Sequence, residues 1–138
     1  MIVVDTNVVV YAVVHLPQTA LARQVAARDS DWVLPSLWRY EFTSAVTKMT
    51  RGLALSAAQA EVAIVEASRL VAGRERDVDQ LLALRVALAL GLSAYDASYV
   101  ALAENLGLRC VTADARVVKC APAIAVSLAD FANGIALP

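Results

Sequence analysis

The chain has 138 residues, a net charge of −1 and a hydrophobic share of 59%, which is the size of one ordinary domain and too neutral for a polybasic nucleic-acid binder. Its apolar excess is mostly alanine, 28 residues in all, and alanine favours helix while being only weakly hydrophobic. The longest unbroken apolar run, residues 8–14, falls far short of the roughly 18 residues that span a bilayer.

Residues 2–4 are a short apolar run ending at Asp5, and they read as a strand. Residues 8–15 read as a short buried helix and residues 20–28 as a second, with Pro17 in the break between them. Residues 32–34 make a second strand, stopped by Pro35. Ser36 is placed to cap a helix running to about Arg51, which Gly52 ends. Three further helices follow, each with a capping-box spacing at its start and a glycine after its end. Ser56 and Gln59 open the first, which reaches about Ala72; Asp77 and Gln80 open the second, which ends near Leu90; Ser93 and Asp96 open the third, which ends near Leu106. Residues 109–112 form a third strand, and a short helix separates it from a fourth at residues 123–126. Strands separated by helices need crossovers and not hairpins, so the sheet is expected to be parallel. The fold class is α/β, a single domain over residues 1–138 with at least four short parallel strands flanked by helices.

Ten of the twelve basic residues are arginine. Guanidinium suits bidentate phosphate contacts, but an Arg-rich, Ala-rich composition also follows from a GC-rich genome, and the count decides nothing. Cys110 and Cys120 form no C-x-x-C pair and are too few for a disulfide framework. They read as reduced thiols, with Cys110 in the core. The chain has no basic leader and carries Asp5 inside its first apolar stretch, so no signal peptide is expected and the location is expected to be cytoplasmic.

In open parallel sheets, ligand sites lie beyond the carboxyl ends of the strands. Asp5 and Asp114 fall at or just past two such ends, and Asp96 falls in the first turn of its helix. Each has a plainer role open to it: Asp5 and Asp114 as caps of the helices that follow, Asp96 as the acidic half of a box with Ser93. Glu41 lies inside Leu37-Trp38-Arg39-Tyr40-Glu41-Phe42, with Leu37 and Ala45 on its face. A carboxylate on a partly apolar stripe is unfavourable unless it is paired, and Lys48 offers a surface pairing. If the four acids converge, two carboxylates about 4 Å apart repel by roughly 4 kcal/mol at an effective dielectric of 20. Raised pKa values or a bound cation relieve that repulsion, and oxygen-only ligands point to Mg²⁺ or Mn²⁺ and away from zinc. Such a cation acidifies water, orients a phosphodiester and stabilises its developing charge.

Asp5-Thr6-Asn7, Glu41, Ser93-Ala94-Tyr95-Asp96-Ala97 and Thr112-Ala113-Asp114, in this order and spacing, resemble the PIN-domain family, and most closely its VapC-type ribonuclease toxins of VapBC toxin–antitoxin pairs. The resemblance runs from Met1 to about Phe131. It implies a parallel sheet with one acidic pocket, and maps the family's four acids onto Asp5, Glu41, Asp96 and Asp114 with no departure. It further implies that Asp5 and Asp96 bind the metal directly, that Asp114 stands close to it, and that Glu41 helps to hold a water or second ion. Asn7 and Thr112 match polar supporting positions. The implied activity is Mg²⁺-dependent (or Mn²⁺-dependent) endoribonuclease cleavage. The implied partners are an RNA substrate, a VapB-like antitoxin and a second copy of the chain.

Other constellations fail. The glycines are too scattered for a dinucleotide or phosphate cradle. His15, the sole histidine, sits among apolar residues without a neighbouring nucleophile and reads as a core or capping residue. Trp38, Arg39 and Tyr40 could stack on RNA bases, although Trp38 reads first as core. A haloacid-dehalogenase-like phosphatase needs a second Asp where this chain has Asn7, and a receiver domain needs an early acidic pair. The alternatives left open are a non-catalytic PIN scaffold that binds RNA or protein, and a housekeeping PIN nuclease without an antitoxin.

Overall fold

Strands covered on both faces have no polar side to show water, so they read as unbroken apolar runs. That is the pattern here. In a computed structural model describing residues 1–135, β1 (Ile2–Val4), β2 (Trp32–Pro35) and β4 (Cys110–Thr112) are buried at every position. β5 (Ala125–Ser127) lies outside β4, and a fifth strand of two residues, β3 (Glu75–Arg76), lies outside β2. All neighbours pair in parallel, in the order β3-β2-β1-β4-β5.

The helices are α1 (Thr6–Val13), α2 (Thr19–Arg28), α3 (Trp38–Arg51), α4 (Ala57–Leu70), α5 (Gln80–Leu90), α6 (Ala94–Leu106), α7 (Ala115–Cys120) and α8 (Leu128–Asn133). α5 and α6 pack on each other, and α6 lies across β1, β2 and β4. α1 gathers α2, α3 and α4 around it, and α8 packs against α2 and β5. The core joins the sheet to Val8, Val9, Phe42, Tyr99 and Val100, all essentially buried. Gly91 ends α5 in the left-handed region, at φ 66°, where a side chain would be strained. The chain then turns so that α6 runs 110° from α5. Among the described residues no single helix is long and apolar enough to cross a membrane.

Several local expectations change. α1 starts at Thr6 and stops at Val13, so His15 lies outside the helix and is exposed, neither core nor cap. Ser36 does not cap α3; its hydroxyl donates to Asp77 (3.3 Å). Asp77 in turn is not the cap of α5. That cap is Asp79, whose carboxylate accepts from the backbone N–H groups of Leu81 and Leu82. The Ser56–Gln59 capping box forms with both of its bonds. Arg39 pairs bidentately with Glu75 of the edge strand (2.5 and 3.0 Å), which fixes it beside the buried Trp38. Cys110 is a buried free thiol and Cys120 a half-buried one.

Candidate active site

A parallel β-α unit brings each following helix to start at the carboxyl edge of the sheet, so helix N-termini collect there. Here β1 is flanked by β2 on one side and β4 on the other, so the strand order reverses between β1 and β4. Asp5 follows β1 directly, and its backbone N–H donates to Val111 of β4 (2.9 Å). Asp114 follows β4 at the start of α7. Asp96 and Glu41 lie in the first turns of α6 and α3. All four carboxylates line one pocket of about 320 Å³.

The two ends of this crevice are tied together by polar side chains. Asp5 Oδ2 accepts from Thr112 Oγ1 (2.6 Å) and Asn7 Nδ2 (2.8 Å). Thr112 Oγ1 accepts from the Asp114 backbone N–H (3.0 Å), and Asn7 Oδ1 accepts from the Ala113 backbone N–H (3.1 Å). Asn7 and Thr112 therefore bridge the loop after β1 to the loop after β4. Asp5 occupies the cap position of α1 but makes no side-chain cap bond, so its capping role is not realised. Asp114 does cap: its Oδ1 accepts from Arg116 and Val117 N–H (2.7 and 3.4 Å), leaving Oδ2 for the pocket rim. Ser93 caps α6 by accepting from the Asp96 N–H (3.0 Å). The Asp96 carboxylate itself accepts no hydrogen bond among the described residues.

Glu41 is not paired with Lys48. Its Oε1 accepts from the Tyr99 hydroxyl (2.6 Å), with Thr6 Oγ1 at 3.5 Å. Burial pushes its carboxyl above the ordinary range; the Tyr99 hydrogen bond opposes this, and the charges of Asp5 and Asp96 add to it. Asp5 is raised in the same way, first by burial, against its Thr112 bond, and further by the Asp96 charge. Burial and the Glu41 charge hold the Tyr99 phenol far above its usual value, so it stays protonated. Burial likewise keeps the Cys110 thiol neutral.

The donor set is oxygen only, the chemistry of a hard divalent cation. No side chain among the described residues donates to Asp5 Oδ1 or to the Asp96 carboxylate. As the side chains stand, no three of the described His, Cys, Asp and Glu residues close on one ion position. Beyond the carboxylates the groove between α1 and α3 continues with Val10 and Tyr11 on one wall and Ala45 and Met49 on the other.

The PIN domain family model matches residues 2–121. The chain belongs to the PIN domain family. PIN domains are generally metal-dependent nucleases, so an acidic pocket at the carboxyl edge is the place to look for this PIN domain's chemistry. The crystal structure of PAE2754 from Pyrobaculum aerophilum has a similar fold: TM-score 0.75 at 24% identity, over 96% of this chain and 93% of that one. Comparison with curated proteins finds no match.

Sequence reasoning missed the part played by Thr6, which lines this PIN pocket, and by Tyr99, which is buried behind it with its hydroxyl on Glu41. The signal available was Tyr99 itself, one helical turn after Asp96 and at the head of the apolar run 100–103. A tyrosine buried there needs a partner for its hydroxyl.

Proposed function

We propose that this PIN domain is a Mg²⁺- or Mn²⁺-dependent endoribonuclease of the VapC type, the cytoplasmic toxin of a toxin–antitoxin pair. The nuclease domain takes up the whole chain, residues 1–138. The observation that carries this reading is that carboxylates from four helix starts line one pocket where the strand order reverses. A like-charged cluster of that kind is unfavourable in itself and suits a cation-dependent site.

In this reading Asp5 and Asp96 would hold the cation directly. Asn7 and Thr112 stop the Asp5 carboxylate from rotating. Asp114 offers its free oxygen at the rim, and Glu41 orients the attacking water with the oxygen not taken by Tyr99. When bound, the cation acidifies water and neutralises charge on the phosphodiester. Tyr11 and its apolar neighbours give a ribose or base a surface to pack and stack on. A VapB-like antitoxin would inhibit by reaching the carboxylates with an arginine. A second copy of the chain would dock on α5, where Leu81, Leu84 and Leu88 form a solvent-facing stripe.

The test is cleavage of structured RNA by purified protein. We expect cleavage with Mg²⁺ or Mn²⁺, none in EDTA, and none from Asp5→Ala combined with Asp96→Ala. Activity persisting in EDTA or in that double variant would overturn the mechanism. Metal-dependent thermal stabilisation without cleavage would favour a binding scaffold. The toxin assignment predicts growth arrest when the protein is expressed alone in its host, and harmless expression of active enzyme without any antitoxin would remove it.

A further inference from the structure

We infer that Tyr99, backed by Thr6, is a positioning residue that clamps one oxygen of Glu41 and fixes how the other faces the pocket. The inference rests on the functional reading above. Three helices contribute: Thr6 from the start of α1, Glu41 from α3 and Tyr99 from α6. The Thr6 and Tyr99 oxygens lie 2.5 Å apart, and the Tyr99 oxygen lies 2.6 Å from Glu41 Oε1. Thr6 and Tyr99 are 5% and 2% exposed, so the hydroxyls have little access to water.

Counting protons sets the direction of the chain. A phenol has one proton and an ionised carboxylate accepts only, so Tyr99 donates to Glu41 and Thr6 donates to Tyr99. Thr6 also lies 3.5 Å from Glu41 Oε1, at the limit of hydrogen-bond reach, which makes it the weaker direct partner. A tyrosine that needed only a partner for its buried hydroxyl would be satisfied by Thr6 alone. The second bond, to Glu41, therefore acts on Glu41. Its geometry is stiff, because the phenol oxygen moves only with a ring locked in the core. A long carboxylate side chain with several rotamers is thereby reduced to one arrangement, with Oε1 taken and Oε2 left over.

The experiment compares wild type with Tyr99→Phe, Glu41→Gln, the double variant, Thr6→Val and Thr6→Ser. Three readouts are used: the Glu41 side-chain carboxyl ¹³C resonance in metal-free protein, Mn²⁺ affinity by calorimetry, and RNA cleavage. Tyr99→Phe should stay folded, shift the Glu41 resonance and weaken Mn²⁺ binding by about tenfold, the scale of one lost hydrogen bond to a charged group. The double variant should bind Mn²⁺ no more weakly than Glu41→Gln, because Tyr99 acts through Glu41. Additive losses, or full Mn²⁺ affinity in Tyr99→Phe when Glu41→Gln has lost it, would overturn the inference. Should Tyr99→Phe fail to fold, Thr6→Val carries the same test, expected to weaken Mn²⁺ binding with no further loss beside Glu41→Gln, while Thr6→Ser restores wild type. Unchanged affinity in Thr6→Val, or no rescue by serine, would overturn it equally. A wild type that neither binds Mn²⁺ nor cleaves RNA removes the functional reading and the clamp with it. Normal binding and cleavage in both wild type and Tyr99→Phe removes the clamp alone.

Discussion

At the scale of single residues, Asp5 and Glu41 share an unfavourable setting: burial first, then neighbouring carboxylates, hold both above the ordinary carboxyl range. A carboxyl raised in the folded state binds its proton more tightly there than in the unfolded chain. Its contribution to stability is complete below the unfolded value and is lost as pH rises through the folded value. Glu41→Gln removes that dependence while keeping an oxygen for Tyr99 to donate to. We therefore expect metal-free Glu41→Gln to match wild type in acid and to melt at or above it as pH rises past the raised Glu41 value. RNA cleavage by the variant should fall by at least about tenfold, or 1.4 kcal/mol of barrier, and added Mg²⁺ should stabilise it less. Paired melts across pH and cleavage at saturating metal check this. A variant that loses stability at every pH yet cleaves normally would place Glu41 in the structure alone.

Among the elements, the starts of α3, α6 and α7 and the chain just before α1 present their carboxylates to the same pocket. Unpaired N–H groups and the helix dipole make these ends favourable for negative charge, which offsets part of the repulsion without a cation. Ser93 and Ser56 allow this to be separated from plain capping. Both accept a backbone N–H one turn into their helix, but only Ser93 holds a residue of the pocket. Ser93→Ala and Ser56→Ala should each lose about 1 kcal/mol of stability. Only Ser93→Ala should also weaken Mn²⁺ binding, as calorimetry would register; equal Mn²⁺ affinity in the two variants would detach the α6 cap from the site. The sequence marks the starts of α4 and α6 through Ser56 and Ser93, and the ends of α3, α4, α5 and α6 through Gly52, Gly73, Gly91 and Gly107. It misplaces the α5 cap because Asp77 and Asp79 are both available, and only the folded loop sends Asp77 to Ser36 and Asp79 to Leu81 and Leu82. β3 is invisible in advance, since two charged residues at a sheet edge carry neither alternation nor an apolar run.

For the whole molecule, parallel pairing follows from the alternation of strands and helices, but strand order does not. Which side of β1 receives β4 depends on the path of a crossover through α5 and α6, and that path is set by packing and not by local pattern. The reversal between β1 and β4, and with it the meeting of Asp5 with Thr112, appears only in the folded chain. The same crossover leaves α5 with Leu81, Leu84 and Leu88 at 62%, 53% and 76% exposure. These positions are three and four residues apart, so they form one face, bordered by the exposed Arg85, four residues after Leu81 and three before Leu88. Apolar side chains so placed gain from being covered, and a two-fold pairing of α5 with its copy sets the stripe against itself. The competing apolar residues on α4, Val62 and Val65 with Ile64 beside them, are less exposed than the leucines of α5 taken together and are flanked by Glu61 and Glu66. We expect sedimentation equilibrium to show a dimer for wild type. Leu84→Glu with Leu88→Glu should be monomeric, and Val65→Glu should remain dimeric. The double variant should keep its helical spectrum and its Mn²⁺ affinity per chain, because neither leucine lines the acidic pocket. A wild type that stays monomeric at tens of micromolar, or a dimer that survives both glutamates, would exclude α5 as the face that pairs.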